Sequence, residues 1–467
     1  MAIGGFFCYY TIMAEMDKIV ALCKRRGFIY PGSEIYGGLN GTWDFGPLGT
    51  LLANNIKNEW WRSIVLSRDD VVGLDSSILY HPKVWEASGH VASFTDPMIE
   101  CKVCHERFRV AGKGLTGAAG RFLVREHEKT HKKKDIWTEV KQFNLMFRTF
   151  VGPVEGEAAK AYLRPETAQG IFINFQNVVD TMRVKVPFGI AQIGKGFRNE
   201  ITTGNFLFRV REFEMMELEF FVKPDTYKNW HDYWKEKRLQ WYLDLGINKD
   251  NIRLQDLSKE EIAHYSKGTT EVWYNWPFAG SQGKPQWGEL EGIANRGDYD
   301  LSNHANFLSN AKKDAGEILK YHDMDNNQKY FPYVIEPSVG VGRAMLAFLI
   351  DSYYEDEKRV VLKLHPKLAP IKVAVFPLLA NKLPLVKLAK DIYHNLKTKI
   401  DGMIAFDDRG NIGKRYYSQD EIGTPFCVTV DFQSLEDKTV TVRDRDTMKQ
   451  DRVKMGKLVE YFKDKFS

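Results

Sequence analysis

Ile19, Val20, Leu22 and Cys23 fall at helical spacing, and their run ends at Gly27. Residues 31–49 are broken repeatedly by glycine and proline, which predicts loop. Leu51, Leu52, Ile56, Trp60, Ile64 and Val65 then mark one face of a helix over residues 50–66, and VVGLDSSILYHP predicts a strand closed by Pro82. From Cys101 to about Phe150 the apolar pattern fades into a CxxC, a glycine-rich stretch and the charged run REHEKTHKKKD, which predicts an insertion looped out of a domain. Strand alternation returns in MRVKVPFGIAQIGKGFRNE and RVREFEMMELEFFV, which predict a long antiparallel hairpin. Residues 224–265 read as helical and aromatic-rich. Tyr333, Val334 and Ile335 form a strand that runs through small residues into an apolar helix. Beyond the proline-punctuated LHPKLAP, near residue 366, strands and helices alternate as in a compact α/β unit. No internal repeat is visible.

Composition narrows the class. At 467 residues the chain has room for about three domains. Hydrophobic residues at 43% and charged residues at 27% exclude intrinsic disorder. Sixty-six Lys and Arg against 61 Asp and Glu leave +5, which permits a nucleic-acid partner without requiring one. Five cysteines, odd in number and sparse, argue against a secreted disulfide framework and for a reducing compartment. No stretch is long and apolar enough to span a membrane. The apolar run within the first 14 residues has no Lys or Arg before it, unlike a signal peptide. Residues 1–15 therefore read as a disordered N-terminal extension of a cytoplasmic protein that does not engage membranes.

Two constellations carry candidate chemistry. In the second hairpin strand, alternation places Arg211, Phe213, Met215, Glu217 and Glu219 on one face. Such a face suits a concave site where a base stacks on the ring and charged groups meet phosphates and an ammonium; a solvated face with cross-strand ion pairs is the plain alternative. In EPSVGVGRAMLAFL the glycines allow close backbone approach, and Arg343 at the helix start favours phosphate. A simple tight strand-to-helix turn is the alternative there, and no GxGxxG is completed.

Together these elements resemble motifs 2 and 3 of the class II aminoacyl-tRNA synthetases. The segments RGFIYPGSEIYGG, TWDFGPLG, LRPETAQGIF, WGELEGIANRGDYDL, EPSVGVGR and GKRYYSQDEIGTPFCVTVD are similar to those of the homodimeric glycyl-tRNA synthetases. The resemblance runs from about residue 16 to the C-terminus. It implies an α+β catalytic domain on a mostly antiparallel sheet over residues 16–365, with insertions at about 101–155 and about 224–285. A three-layer α/β anticodon-binding domain follows over 366–467.

The implied reaction activates glycine with ATP, as its Mg2+ complex, to glycyl-adenylate and passes the glycyl group to tRNA(Gly). The partners implied are the acceptor end and anticodon of that tRNA and a second copy of the chain. Carried over residue by residue, Arg198 holds the α-phosphate and glycine carboxylate, and Arg343 the distal phosphates; these two are the catalytic candidates. Asn199 and Glu200, then Phe208, Arg209, Val210, Arg211 and Glu212, follow the nucleotide, whose adenine stacks on Phe213. Glu289, Leu290, Gly340, Val341 and Gly342 complete the ATP site. For glycine the resemblance points to Glu166, Glu217, Glu336 and Ser338, flanked by Phe213, Glu214, Met215, Met216, Pro337, Val339 and Gly340. Arg109 and Arg296 are candidates for the substrate side, with surface ion pairing the alternative. Met215 and Met216 depart from a polar residue common in the family.

Lys414, Arg415 and Tyr416 offer a basic-aromatic surface for anticodon bases, and Lys129 to Lys134 a basic run for the acceptor stem. Cys101, Cys104, His127 and His131 form a formal Cys2His2 set, with a gap wider than usual for a finger. Some relatives carry two cysteine pairs in this insertion, so a vestigial thiol pair without structural zinc is the expectation. A non-catalytic nucleic-acid-binding paralogue, such as a polymerase accessory subunit, is the rival function. It would be expected to lose the arginines and carboxylates that this chain keeps.

Overall fold

The alternating segments on either side of Arg198 pair with each other along their whole length. The computed structural model describes residues 16–109, 127–153, 155–156, 159–201, 203–262, 266–279 and 285–466; the extension at 1–15 lies outside them. In chain order the strands that position the site are β1 (Val71–Gly73), β2 (Thr95–Glu100), β3 (Arg107–Arg109), β4 (Lys141–Asn144), β5 (Phe188–Phe197), β6 (Glu212–Val222), β7 (Ile252–Asp256), β8 (Gly268–Ala279), β9 (Pro285–Gly297) and β10 (Tyr333–Gly340). The corresponding helices are α1 (Pro47–Trp61), α2 (Ala168–Ile173), α3 (Tyr227–Asp244), α4 (Tyr299–Ala311) and α5 (Val341–Ser352). A seven-stranded sheet runs β7-β8-β9-β10-β6-β5-β1, antiparallel except for β1 beside β5.

The period of two in β6 gives the sheet two unlike faces. Met216, Leu218, Phe220 and Val222 enter the main core with Ile56 and Trp60 of α1, Trp234 and Tyr242 of α3, and Met345 and Leu349 of α5. Each such side chain contributes about 1.5–3 kcal/mol by leaving water. On the opposite face Phe221 packs with Phe172 of α2 and Leu301 of α4, which close that end. Phe213, Met215 and Glu217 continue the same face into an open cavity. Gly196 lies opposite Phe213 in register, and a Cβ there would come within 2.8 Å of the ring, so glycine lets the ring lie against the strand.

Two local expectations change. The strand drawn to Pro82 stops at Gly73; beyond it Leu74 donates its N–H to the Ala191 carbonyl at 2.9 Å, and Leu79 forms an isolated bridge with Leu163. The helical reading of 224–265 holds to Asp244, after which β7 and β8 extend the sheet because β9 offers backbone partners.

A five-stranded sheet follows, built from β11 (Ile371–Pro377), β12 (Met403–Phe406), β13 (Phe426–Val430), β14 (Thr439–Asp444) and β15 (Gln450–Lys454) in the order β12-β11-β13-β14-β15. Helices α6 (Leu383–Lys399) and α8 (Leu458–Phe466) share one core with it, and α7 (Ile412–Glu421) covers the other face. Asp420 of α7 is fully buried. It accepts both Arg443 Nη hydrogens at 2.8 and 2.9 Å and Arg359 Nη1 at 2.6 Å, which joins this unit to the segment before it. Removing the carboxylate strands two buried guanidinium groups. We expect Asp420→Ala to lower unfolding stability by about 3 kcal/mol. Urea denaturation checks this, and an unchanged midpoint would show that the clamp does not stabilise the fold.

Candidate active site

The cavity encloses about 550 Å3 on the open face of β6. Its walls come from the ends of β9 and β10, the connection between β5 and β6, and the start of β2.

One end is cationic and aromatic. Arg198 leaves β5, donates Nε to the Pro165 carbonyl at 3.1 Å, and spreads its guanidinium between the rings of Phe213 and Phe94, 5.3 and 5.5 Å from their centroids. Phe213 therefore has a cation on one side, as a stacking platform beside a phosphate requires. Arg343, in the first turn of α5, pairs with Glu289 at 2.9 Å and lies 4.5 Å from the Phe208 ring centroid. Glu200 pairs with Arg209 at 3.6 Å. Glu271 also faces the cavity; burial, with Glu289 nearby, pushes its carboxyl up to about 7.

The other end is a recessed acidic cup. Glu217 accepts the Thr167 N–H at 2.7 Å, the Thr167 hydroxyl, and the Ser338 hydroxyl at 2.9 Å. Glu166 meets His90 Nε2 at 3.3 Å and accepts Gln169 Nε2 at 3.1 Å. Glu336 pairs with Arg296 at 3.0 Å, and Arg296 binds Asp300 through two further hydrogen bonds of 2.7 and 2.8 Å. Behind them, both carboxylate oxygens of the fully buried Glu219 lack a hydrogen-bond partner among the described residues.

Like charges out of water push these groups apart. Burial raises Glu219 far above the usual carboxylate range and Glu336 to about 8, with the Arg296 charge working against the latter rise. Burial and the Glu166 charge raise Glu217. Glu166 alone is held low: burial opposes its charge, but His90 and Arg296 outweigh that. The cup holds more acid than base and is arranged to take in a cation.

Comparison with known proteins places the chain in a family. Residues 153–353 match the model of the tRNA synthetase class II core domain (G, H, P, S and T), and residues 372–465 that of the anticodon binding domain. The glycine–tRNA ligase of Thermobifida fusca is 51% identical, covering 97% of this chain and 98% of its own length. Those of Cutibacterium acnes (51%; 96% of each chain) and Caldanaerobacter subterraneus (50%; 97% of this chain, 99% of the relative) are similar over the same extent. The chain belongs to the glycine–tRNA ligase family.

Against the family resemblance, the residues expected around ATP divide by direction. Arg198, Glu200, Phe208, Arg209, Val210 and Phe213 line the cavity, as do Glu289, Leu290, Gly340, Gly342 and Arg343. Asn199 instead donates its N–H to the Leu145 carbonyl at 2.7 Å. Arg211 donates to the carbonyls of Glu200 and Asn40, Glu212 pairs with Lys195 at 2.8 Å, and Val341 sits in the core.

Around glycine, Glu166, Met215, Glu217, Glu336 and Ser338 line the cup. Glu214 points to the other face and pairs with Lys57 at 3.0 Å, while Met216 and Val339 are core residues. Pro337 holds strand register opposite Ile293. Arg296 is no surface residue: it is 1% exposed and braces the cup from behind. Arg109 closes β3 opposite Met98, and its side chain lies outside the described residues.

Not anticipated from the sequence are Phe94, Thr95 and Asp96, which form a cavity wall just ahead of the insertion, and Glu271. Glu271 sits in the alternating segment EVWYNW, where a strand reading would have exposed it. His90 carried no signal, because its partner Glu166 is distant in sequence.

Outside the cavity, Arg415 is buried. It donates to the carbonyls of Pro377, Arg409 and Gly410, and the Tyr416 hydroxyl contacts Thr429, so the surface expected at 414–416 reduces to Lys414. Lys129, Lys132, Lys133 and Lys134 are exposed. No helix among the described residues is long and apolar enough to cross a membrane.

Proposed function

We propose that this chain uses ATP to ligate glycine to tRNA(Gly) through glycyl-adenylate. The observation that carries the reading is a single cavity with chemically opposite ends, Arg198 and Arg343 around the Phe213 platform at one and the Glu166–Glu217–Glu336 cup at the other. The cup receives the glycine ammonium. The glycine carboxylate then attacks the α-phosphorus; an O–P bond forms, the bond to the bridging oxygen breaks, and pyrophosphate leaves. Its nucleophile is already an anion, so no general base is required. The protein contributes position and opposite charge: Arg198 at the α-phosphate and Arg343 at the departing phosphates. In the second step the terminal ribose hydroxyl of the tRNA attacks the activated carbonyl and AMP leaves.

ATP arrives as its Mg2+ complex. Glu271 and Glu289, both facing the cavity, suit a hydrated Mg2+ held mainly by phosphate oxygens, whose charge it offsets. Glycine is the smallest amino acid, so selection rests on excluding larger side chains, and a hydrolytic editing site is unnecessary. Further parts of the proposal are catalytic and anticodon-binding domains over 16–365 and 366–467, acceptor-stem contact by the lysines at 129–134, a homodimer and a cytoplasmic location. Nothing in the site favours the non-catalytic paralogue, since the arginines and carboxylates are all in place.

The test is pyrophosphate exchange into ATP measured with each of the twenty amino acids. Exchange with glycine alone is expected. Folded protein that exchanges with none would be a nucleic-acid-binding paralogue.

A further inference from the structure

At the far end of β2 from the cavity, the insertion brings four soft ligands together. Cys101 and Cys104 sit in a tight turn. The His105 N–H closes it on the Cys101 carbonyl at 2.8 Å, His105 takes a φ of 61°, and the Val103 N–H points to the Cys101 sulfur at 3.4 Å. From the other side a helical turn over residues 127–131 presents His127 and His131, four residues apart and so on one face. One ligand atom from each of Cys101, Cys104, His127 and His131 lies within 4.8 Å of the other three. His127 Nε2 is 3.3 Å from the Cys104 sulfur and 3.1 Å from His131 Nε2.

Those spacings suit a metal. Tetrahedral zinc with bonds of about 2.3 Å to sulfur and about 2.0–2.1 Å to nitrogen places its ligand atoms about 3.3–3.8 Å apart. The two observed distances fall within a few tenths of an ångström of that range. Glu106 lies 3.7 Å from His127 Nδ1, where a carboxylate fixes the tautomer of a ligating imidazole. The rings of Phe108 and Trp137 pack on His127 at 5.0 and 5.1 Å. The sheet in the order β3-β2-β4 around this point is small and buries few apolar side chains, Met98, Ile99 and Ile136 among them. A unit of that size ordinarily requires a staple.

We propose that Cys101, Cys104, His127 and His131 bind one structural Zn2+ per chain. Two thiolates and two imidazoles select zinc over Mg2+, and four protein ligands leave no position open for catalysis. The thiols release their protons to solvent as the metal binds. The metal anchors one end of β2, whose other end, Thr95 and Asp96, forms the cavity wall; its loss would loosen that wall along with the insertion. The geometry thus points away from the vestigial thiol pair expected from the sequence.

Elemental analysis of the full chain, purified without a metal-binding tag, is expected to find about one zinc per chain. The content should fall below about a tenth of that in a Cys104→Ser, His131→Asn double variant. Because that variant could misfold, the wild-type chain is also stripped and reloaded with Co2+. A tetrahedral cobalt spectrum with thiolate charge transfer supports the site. A wild-type chain with neither zinc nor that spectrum, zinc retained in the double variant, or a Cys101–Cys104 disulfide in metal-free protein as purified would each overturn it.

Discussion

Arg198→Ala lowers kcat/KM for glycine-dependent pyrophosphate exchange by at least about 10³-fold, and Arg198→Lys recovers little of it. The expectation rests on position. Arg198 stands where the two proposed anions meet, its Nε held by the Pro165 carbonyl and its plane set between Phe94 and Phe213. That leaves the terminal nitrogens to form a planar fork toward the cavity, which can engage a phosphate oxygen and a carboxylate oxygen together. Lysine keeps the charge but not the fork or the stacking. A loss of this size corresponds to about 4 kcal/mol of transition-state stabilisation. The proposed α-phosphate role fails if Arg198→Ala exchanges at the wild-type rate. A purely structural role would instead show as a lowered unfolding midpoint with Lys and Ala equally impaired. Arg343 already shares its charge with Glu289 in the free protein. Its replacement by alanine is therefore expected to cost less than that of Arg198.

What the sequence made legible follows from local periodicity. The β6 alternation put Phe213, Met215 and Glu217 on one face before any contact was known, and the cavity uses those side chains. Glycines at the end of β10 and Arg343 after them marked the second wall by their spacing alone. The failures have a common cause, because each depends on partners far away in the chain. Arg415, Gln419 and Asp420 form the buried stripe of α7, although polar residues ordinarily mark the solvent side. The carbonyls and arginines that satisfy them come from other elements, and no periodicity announces them. For Arg296, a candidate for the substrate side, surface ion pairing stood as the alternative until Glu336 and Asp300 enclosed it. Residues 252–256, inside the segment read as helical, became a strand because the neighbouring strand β8 offered an open edge, whatever their local preference. The four ligands in the insertion are separated by a sequence gap too wide for spacing to decide; folding brings them together.

Glycine recognition is expected to depend on pH through Glu336. In the free protein burial pushes this carboxyl up to about 8, against the pull of Arg296, while Glu217 and Glu166 crowd it with like charge. Below about 8 the group is protonated, yet the glycine ammonium requires it ionised. Binding must then expel a proton, and the apparent KM for glycine should rise by up to about tenfold for each pH unit below that point. Toward higher pH the KM falls, until glycine's own ammonium loses its proton. Glu336→Gln removes the titration. The pH slope should flatten, and at pH about 8 the glycine KM should rise by about 10²-fold while the ATP KM moves less than about threefold. Asp300 still holds Arg296 through two hydrogen bonds in that variant, so the buried guanidinium keeps a counterion and the fold survives. Steady-state exchange kinetics from pH 6 to 9 separate the outcomes. Equal damage to glycine and ATP would remove Glu336 from the cup. A retained slope in the variant would transfer the proton to Glu217, the other raised carboxylate that lines the cavity at that end.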